Sequence, residues 1–167
     1  MQKRVKYEQA IKTKYPEQVV IAIAKDKKGK ANPVTLGWTM IASGDPPMMA
    51  IAVAKTHYSI KTIRHSKCFT IAFPSAEMAD AALFFGSKSG RDTDKFADFD
   101  CRTVPAKKVD SVLLADAVAN FECLLEWQKP AGDHIIFVGK VVASHINTKP
   151  EKRLYAVGTG HKMGSFS

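Results

Sequence analysis

The chain has 167 residues, a formal charge of +9, 46% hydrophobic and 25% charged residues, the composition of one folded domain with a real core and not of a disordered chain. Its longest uncharged apolar runs, Val19 to Ala24 and Met48 to Ala54, fall far short of the roughly 20 residues a bilayer-crossing helix needs, and no apolar segment follows Met1-Gln2-Lys3-Arg4-Val5-Lys6 to make a secretory leader. Cys68, Cys101 and Cys123 show no Cys-x-x-Cys spacing, so they do not read as a disulfide framework and fit a reducing, cytoplasmic setting.

The positive charge is concentrated. Residues 1–30 hold nine Lys or Arg against Glu8, Glu17 and Asp26, six of the nine net charges. Residues 1–16 read as a basic N-terminal arm on a single domain that continues to residue 167. Such an arm suits solvent, an acidic partner or nucleic acid. A nucleic-acid role is disfavoured, because the aromatic interleaving that single-strand binders use is not evident.

Val19 to Ala24 begins a series of strand signals, alternating large with small side chains. Val34 to Ile41 is the next β-rich run, followed by Ala50 to Ala54, Cys68 to Phe73, Ala117 to Trp127 and His134 to Ile146. Turn chemistry separates them at Gly29 to Pro33, Gly44 to Pro47 and Lys129 to Asp133. Ser59 is expected to N-cap a helix through Ser66, and Ser75 another through Phe85 that Gly86 ends in the left-handed region. Many antiparallel strands with two short helices predict a mainly β (α+β) barrel. Its alternating alanines leave one face to fill a tapering interior and the other open to a ligand or partner.

No Gly-x-Gly-x-x-Gly follows the first strand and no Walker lysine is present. Gly158-Thr159-Gly160-His161-Lys162-Met163-Gly164 lies too near the C-terminus to open a βαβ unit and reads as a loop or tail. His57, His65, His134, His145 and His161 lack metal-ligand spacing, so no metal site is expected.

Three polar stretches interrupt the apolar pattern. In Thr35-Leu36-Gly37-Trp38-Thr39, Gly permits close backbone approach, and strand amides or hydroxyls could meet the edge of a planar ring such as a flavin; a Gly bulge in a Thr-rich strand reads equally well. Around Lys55-Thr56-His57-Tyr58-Ser59, a strand gives way to a helix N-terminus, which is a ready phosphate site that Ser59 and Thr62 hydroxyls with Lys55 or Lys61 would complete. A plain N-cap among surface lysines is the alternative. Gly86 to Phe96 packs two glycines, two serines and three cations into a loop suited to a phosphate or to solvent. His134, directly after Asp133, could act as a hydrogen-bond or proton donor beside a ring.

Taken in order, Asn32-Pro33-Val34-Thr35-Leu36-Gly37-Trp38-Thr39, Asp45-Pro46-Pro47, His57-Tyr58-Ser59, Cys68 to Pro74, Gly86 to Asp92 with Lys95-Phe96, Phe121-Glu122-Cys123 and Gly132 to Val141 resemble the flavin reductase-like, or flavoredoxin-type, FMN-binding split-barrel family. The resemblance implies a six-stranded antiparallel Greek-key split β-barrel with short helices, a homodimer, and FMN near the subunit interface. It implies that Thr35, Leu36, Gly37, Trp38 and Thr39 with Ala52, Val53 and Ala54 run along the flavin. His57, Tyr58 and Ser59, with Lys88, Ser89 and Lys95, would surround its phosphate and ribityl chain, and Lys55, Thr62, Asp92 and Phe96 are expected among the cofactor-binding residues. The expected activity is NAD(P)H-dependent flavin reduction, with NAD(P)H as co-substrate and His134 as an assisting group, and a partner monooxygenase or protein electron acceptor downstream. A flavoredoxin-like electron carrier without its own nicotinamide site is the alternative, and a small basic nucleic-acid-binding barrel a remote one.

Overall fold

The computed structural model describes residues 1–149 and 151–166. The chain opens with α1 (Tyr7–Ala10) and a 3-10 turn (Ile11–Lys14), then β1 (Glu17–Gln18), β2 (Val20–Lys25), β3 (Ala31–Leu36), β4 (Thr39–Gly44) and β5 (Pro47–Ala54). Helix α2 (Ser59–Ser66) leads to β6 (Cys68–Phe73), a 3-10 turn (Ala76–Met78), α3 (Ala79–Ser87) and α4 (Lys95–Asp98). The remainder is β7 (Thr103–Pro105), β8 (Val112–Leu114), β9 (Ala119–Ala131), β10 (His134–Ile146), β11 (Tyr155–Gly158) and β12 (Lys162–Gly164).

Seven strands form one antiparallel sheet in the order β3-β2-β6-β9-β10-β5-β4. Its two end strands, β3 and β4, are joined by only Gly37 and Trp38. Laid flat, seven strands would separate those ends by about 29 Å at the usual interstrand spacing, whereas Leu36 and Thr39 lie at most about 11 Å of chain apart. The sheet must therefore roll up, and it does so as a barrel. The class is the mainly β barrel expected, with seven strands in place of six. The run from Val34 to Ile41 divides at Gly37-Trp38, where the chain crosses the seam.

The two-residue alternation fills both sides of the wall. In β5, Met49, Ile51 and Val53 point inward to a core that also holds Phe69 and Phe137, capped by Ile60 and Ile63 of α2. In β2 the sense reverses. Ala22 and Ala24 face the interior, while Ile21 and Ile23 pack outside against Ala82 and Phe85 of α3 and Leu114 of β8. Each of these fully buried large side chains contributes about 1.5–3 kcal/mol.

Two helix boundaries differ from expectation. Tyr58, not Ser59, precedes the first turn of α2, because the Ser59 hydroxyl accepts a hydrogen bond from Asn32 Nδ2 at 2.9 Å and leaves the cap position. Helix α3 runs through Gly86 to Ser87 and ends on an extended Lys88, whose amide donates back to Phe84 O, so no left-handed glycine makes the stop. Gly158 to Gly164, expected as a loop or tail, instead makes the β11–β12 hairpin, which joins β1 in a separate three-stranded sheet. Short strands around two glycines gave no period to read. Among the described residues, no helix is long and apolar enough to cross a membrane.

Candidate ligand-binding site

A cavity of about 710 Å³ opens beside the barrel seam. Its barrel wall is Thr35, Leu36, Gly37 and Trp38 with Ala52 and Ala54, the small residues that β5 turns away from the core. Helix α3 supplies Ala82, Leu83 and Phe84, and the three-stranded sheet faces them with Glu17, Ala156 and Met163. His134 stands at the mouth. Its Nδ1 bonds the Asp133 carboxylate at 2.6 Å, and its ring stacks on Trp38 with centroids 4.5 Å apart.

A smaller cavity of about 150 Å³ adjoins the first. Asn32, Tyr58 and Ser59 line it together with Lys88, Ser89, Gly90 and Lys95. His57, Gly86 and Ser87 line both cavities, so the two adjoin as one site with a larger, mainly apolar part and a smaller, polar end. The polar end lies at the start of α2, where the helix dipole favours an anion.

Two groups there are electrostatically unusual. Lys95 is buried, and its ammonium donates to Pro33 O at 2.8 Å and Phe85 O at 2.7 Å. Burial pulls its pKa down to about 8, since removal from water disfavours the charged form. His57 is held below the ordinary imidazole value by burial first, then by Lys95 and His134. Its buried Nδ1 has no hydrogen-bond partner among the described residues, and a buried ring nitrogen without a partner is one that a ligand can satisfy.

Of the residues singled out in the sequence, Thr35, Leu36, Gly37, Trp38, Ala52, Ala54, His57 and His134 line the larger cavity, and His57, Tyr58, Ser59, Lys88, Ser89 and Lys95 the smaller. Thr39, Val53, Lys55, Thr62, Asp92 and Phe96 line neither. Val53 fills the barrel interior, and Phe96 packs on Phe85 in the second core. The hydroxyls of Thr39 and Thr62 donate to Ala50 O and Ser59 O. Lys55 is exposed and donates to Gly132 O, and Asp92 is exposed as well. The sequence reading missed the opposite wall: Lys14 and Tyr15 from the N-terminal arm, Leu83 and Phe84 from α3, and Gly158, His161 and Met163 from the hairpin. Only the density of Gly, His and Met in 158–164 hinted at it.

The family model for the flavin reductase like domain matches residues 12–163. A Pyrococcus abyssi protein is 33% identical over 77% of this chain and 73% of its own length. The stachydrine N-demethylase reductase subunit Stc3 of Rhizobium meliloti is 30% identical over 77% of this chain and 54% of its own. The NADH-dependent FMN reductase AsuE2 of Streptomyces nodosus subsp. asukaensis is 29% identical over 75% and 66%. Relatives from Archaeoglobus fulgidus and Aeropyrum pernix are spanned over 64% and 54% of their length. Among solved structures, flavoredoxin from Methanosarcina acetivorans superposes with a TM-score of 0.86 at 23% identity, covering 100% of this chain and 92% of that one. An FMN-binding protein from Thermus thermophilus gives 0.86 at 21%, covering 99% and 95%. By the match across its length and by these relatives, the chain belongs to the flavin reductase-like domain family.

Proposed function

We propose that this protein binds FMN and catalyses NAD(P)H-dependent flavin reduction. The observation that carries the reading is the continuity of the two cavities through His57, Gly86 and Ser87. A planar apolar slot joined to a small cationic end matches a flavin ring joined to a phosphomonoester. The buried His57 Nδ1, without a partner among the described residues, supports the reading as a nitrogen that a ligand's hydroxyl would satisfy. When bound, FMN supplies the redox chemistry, taking two electrons from a nicotinamide donor and passing them on.

The chain's own residues position and polarise. Gly37, Ala52 and Ala54 keep the wall flat enough for a ring to lie against it. Ser59, Lys88 and Ser89 would offer donors to the phosphate, and the Lys95 ammonium would neutralise its charge. His134, oriented by Asp133 and Trp38, presents Nε2 as a hydrogen-bond donor or proton source at the mouth. A downstream enzyme that takes up the electrons is supported by the similarity to Stc3, the reductase subunit of a stachydrine N-demethylase.

Among the described residues edge strand β4 pairs with β5 alone, and its Met40 and Ile41 are exposed at 59% and 79%. A second copy covering them makes the working unit a homodimer, since such apolar edges otherwise invite association. Ile41→Lys should then give a monomer in light scattering.

The decisive measurement is the absorption spectrum of the purified protein, followed by an FMN titration and by NAD(P)H oxidation with no other protein present. Flavin uptake with turnover supports the reading. Uptake without turnover supports the electron-carrier alternative, for which the flavoredoxin fold match speaks. A colourless protein that takes up no FMN refutes both.

A further inference from the structure

Opposite the barrel wall, the larger cavity is faced by a Lys–Glu pair that no flavin-holding role uses. Lys14 Nζ meets Glu17 Oε2 at 2.5 Å, with the two side chains 27% and 17% exposed. The ammonium also lies 5.2 Å from the Tyr15 ring centroid and 5.9 Å from that of Trp38. Two aromatic faces therefore hold the cation at the mouth and keep it from spreading into solvent.

The two partners are not equally free. Glu17 begins β1, which is paired to β11, and its carboxylate is pressed against the seam: a Cβ on Gly37 would stand 2.9 Å from Glu17 Cδ. Lys14 ends a 3-10 turn and swings on a four-carbon stem. For a pair so largely removed from water, the cost of desolvating both charges offsets most of their attraction, so a phosphate of higher total charge can take the ammonium over while Glu17 stays in place. His161, from the hairpin tip, lines the same cavity.

We infer that Lys14 is the specificity-determining residue for the electron donor, exchanging Glu17 for a phosphate of a nicotinamide nucleotide that enters over the flavin. This rests on the flavin reductase reading. Glu17 acts as the counterweight: it keeps the mouth near neutral when empty and sets a threshold that a phosphate-free ring does not cross. The pair thus favours phosphate-bearing donors and does not touch the FMN phosphate, which belongs to the other end of the site.

The test is calorimetric titration of FMN-loaded protein with NAD⁺, nicotinamide mononucleotide and nicotinamide riboside, in wild type, Lys14→Gln and Glu17→Gln, with FMN dissociation constants measured in parallel. Lys14→Gln should weaken both phosphate-bearing ligands about tenfold and leave the riboside and FMN unchanged, the scale of one charge-assisted hydrogen bond at a half-open site. Glu17→Gln should tighten the phosphate-bearing ligands several-fold. Equal affinities in wild type and Lys14→Gln, or equal losses for riboside and mononucleotide, overturn the inference alone. A wild type that holds FMN yet binds none of the three overturns the reductase reading along with it.

Discussion

Trp38 and His134 stack across the cavity mouth at 4.5 Å, with their planes inclined by 35°. One comes from the two-residue crossing of the barrel seam and the other from the first residue of β10, so the contact ties the seam to the strand beyond β5. An aromatic pair of this kind is worth about 0.5–1.5 kcal/mol beyond its buried area. Trp38→Phe should keep FMN binding within about threefold and abolish most of the FMN-dependent quenching of tryptophan emission. Trp38→Ala should free His134 and lower kcat/KM for the nicotinamide donor about tenfold, on the scale of a misplaced positioning group.

Lys95 makes binding sensitive to alkali. Burial brings its pKa from 10.5 to about 8, so between those values the unfolded chain carries a proton that the folded one has released. Its contribution to stability therefore rises with pH over that window. Its contribution to phosphate binding runs the other way, because the anion needs the ammonium. FMN affinity should fall as pH rises through about 8. Lys95→Met should bind about tenfold more weakly at pH 7 and show no such fall, as read by flavin fluorescence titration.

Glu122 makes folding sensitive to acid. Its fully buried carboxylate accepts the amides of Lys107, Lys108 and Val109, and His145 Nε2 lies 2.7 Å away. Burial pushes its pKa up, but the amides of Lys107 and Lys108, with His145 and the Val109 amide, outweigh it and hold the group below 4.5. Stability from this residue is present above that value and disappears as pH falls through the lower folded one. Glu122→Gln should lose about 3 kcal/mol at pH 7 and flatten the acid limb of a plot of urea midpoint against pH.

Gly139 makes room for the core. A methyl there would fall 2.7 Å from both Cys123 Cβ and Phe69 Cζ, at the point where the β9–β10 register shifts. Gly139→Ala should destabilise by about 1–3 kcal/mol and lower Tm by about 3–10 °C, with FMN affinity unchanged once folded. Phe69→Leu in the same chain should recover part of the loss.

The strands were legible because alternation has a direct cause: Cys68 to Phe73 and His134 to Ile146 need opposite faces for core and for surroundings, and both are found with the bounds read from the sequence. The crossing at Gly37-Trp38 was not, since Val34 to Ile41 is β-rich throughout and only the sheet's closure decides where it breaks. In the site, the barrel wall and the start of α2 were readable from small residues and an anion-ready helix end. The facing wall was not. Lys14, Glu17 and Met163 meet only when β1 pairs with β11, a contact between the two ends of the chain that local pattern does not encode.

The seam has a mechanical meaning beyond shape. Gly37 and Trp38 are both the last stitch of the barrel and part of the cavity lining, so a ligand lying on them works as a rivet. Loading the site should slow amide hydrogen exchange along β3 and β4 more than in β9, the strand farthest from the seam in the sheet order, and heat should loosen the empty protein first at that joint.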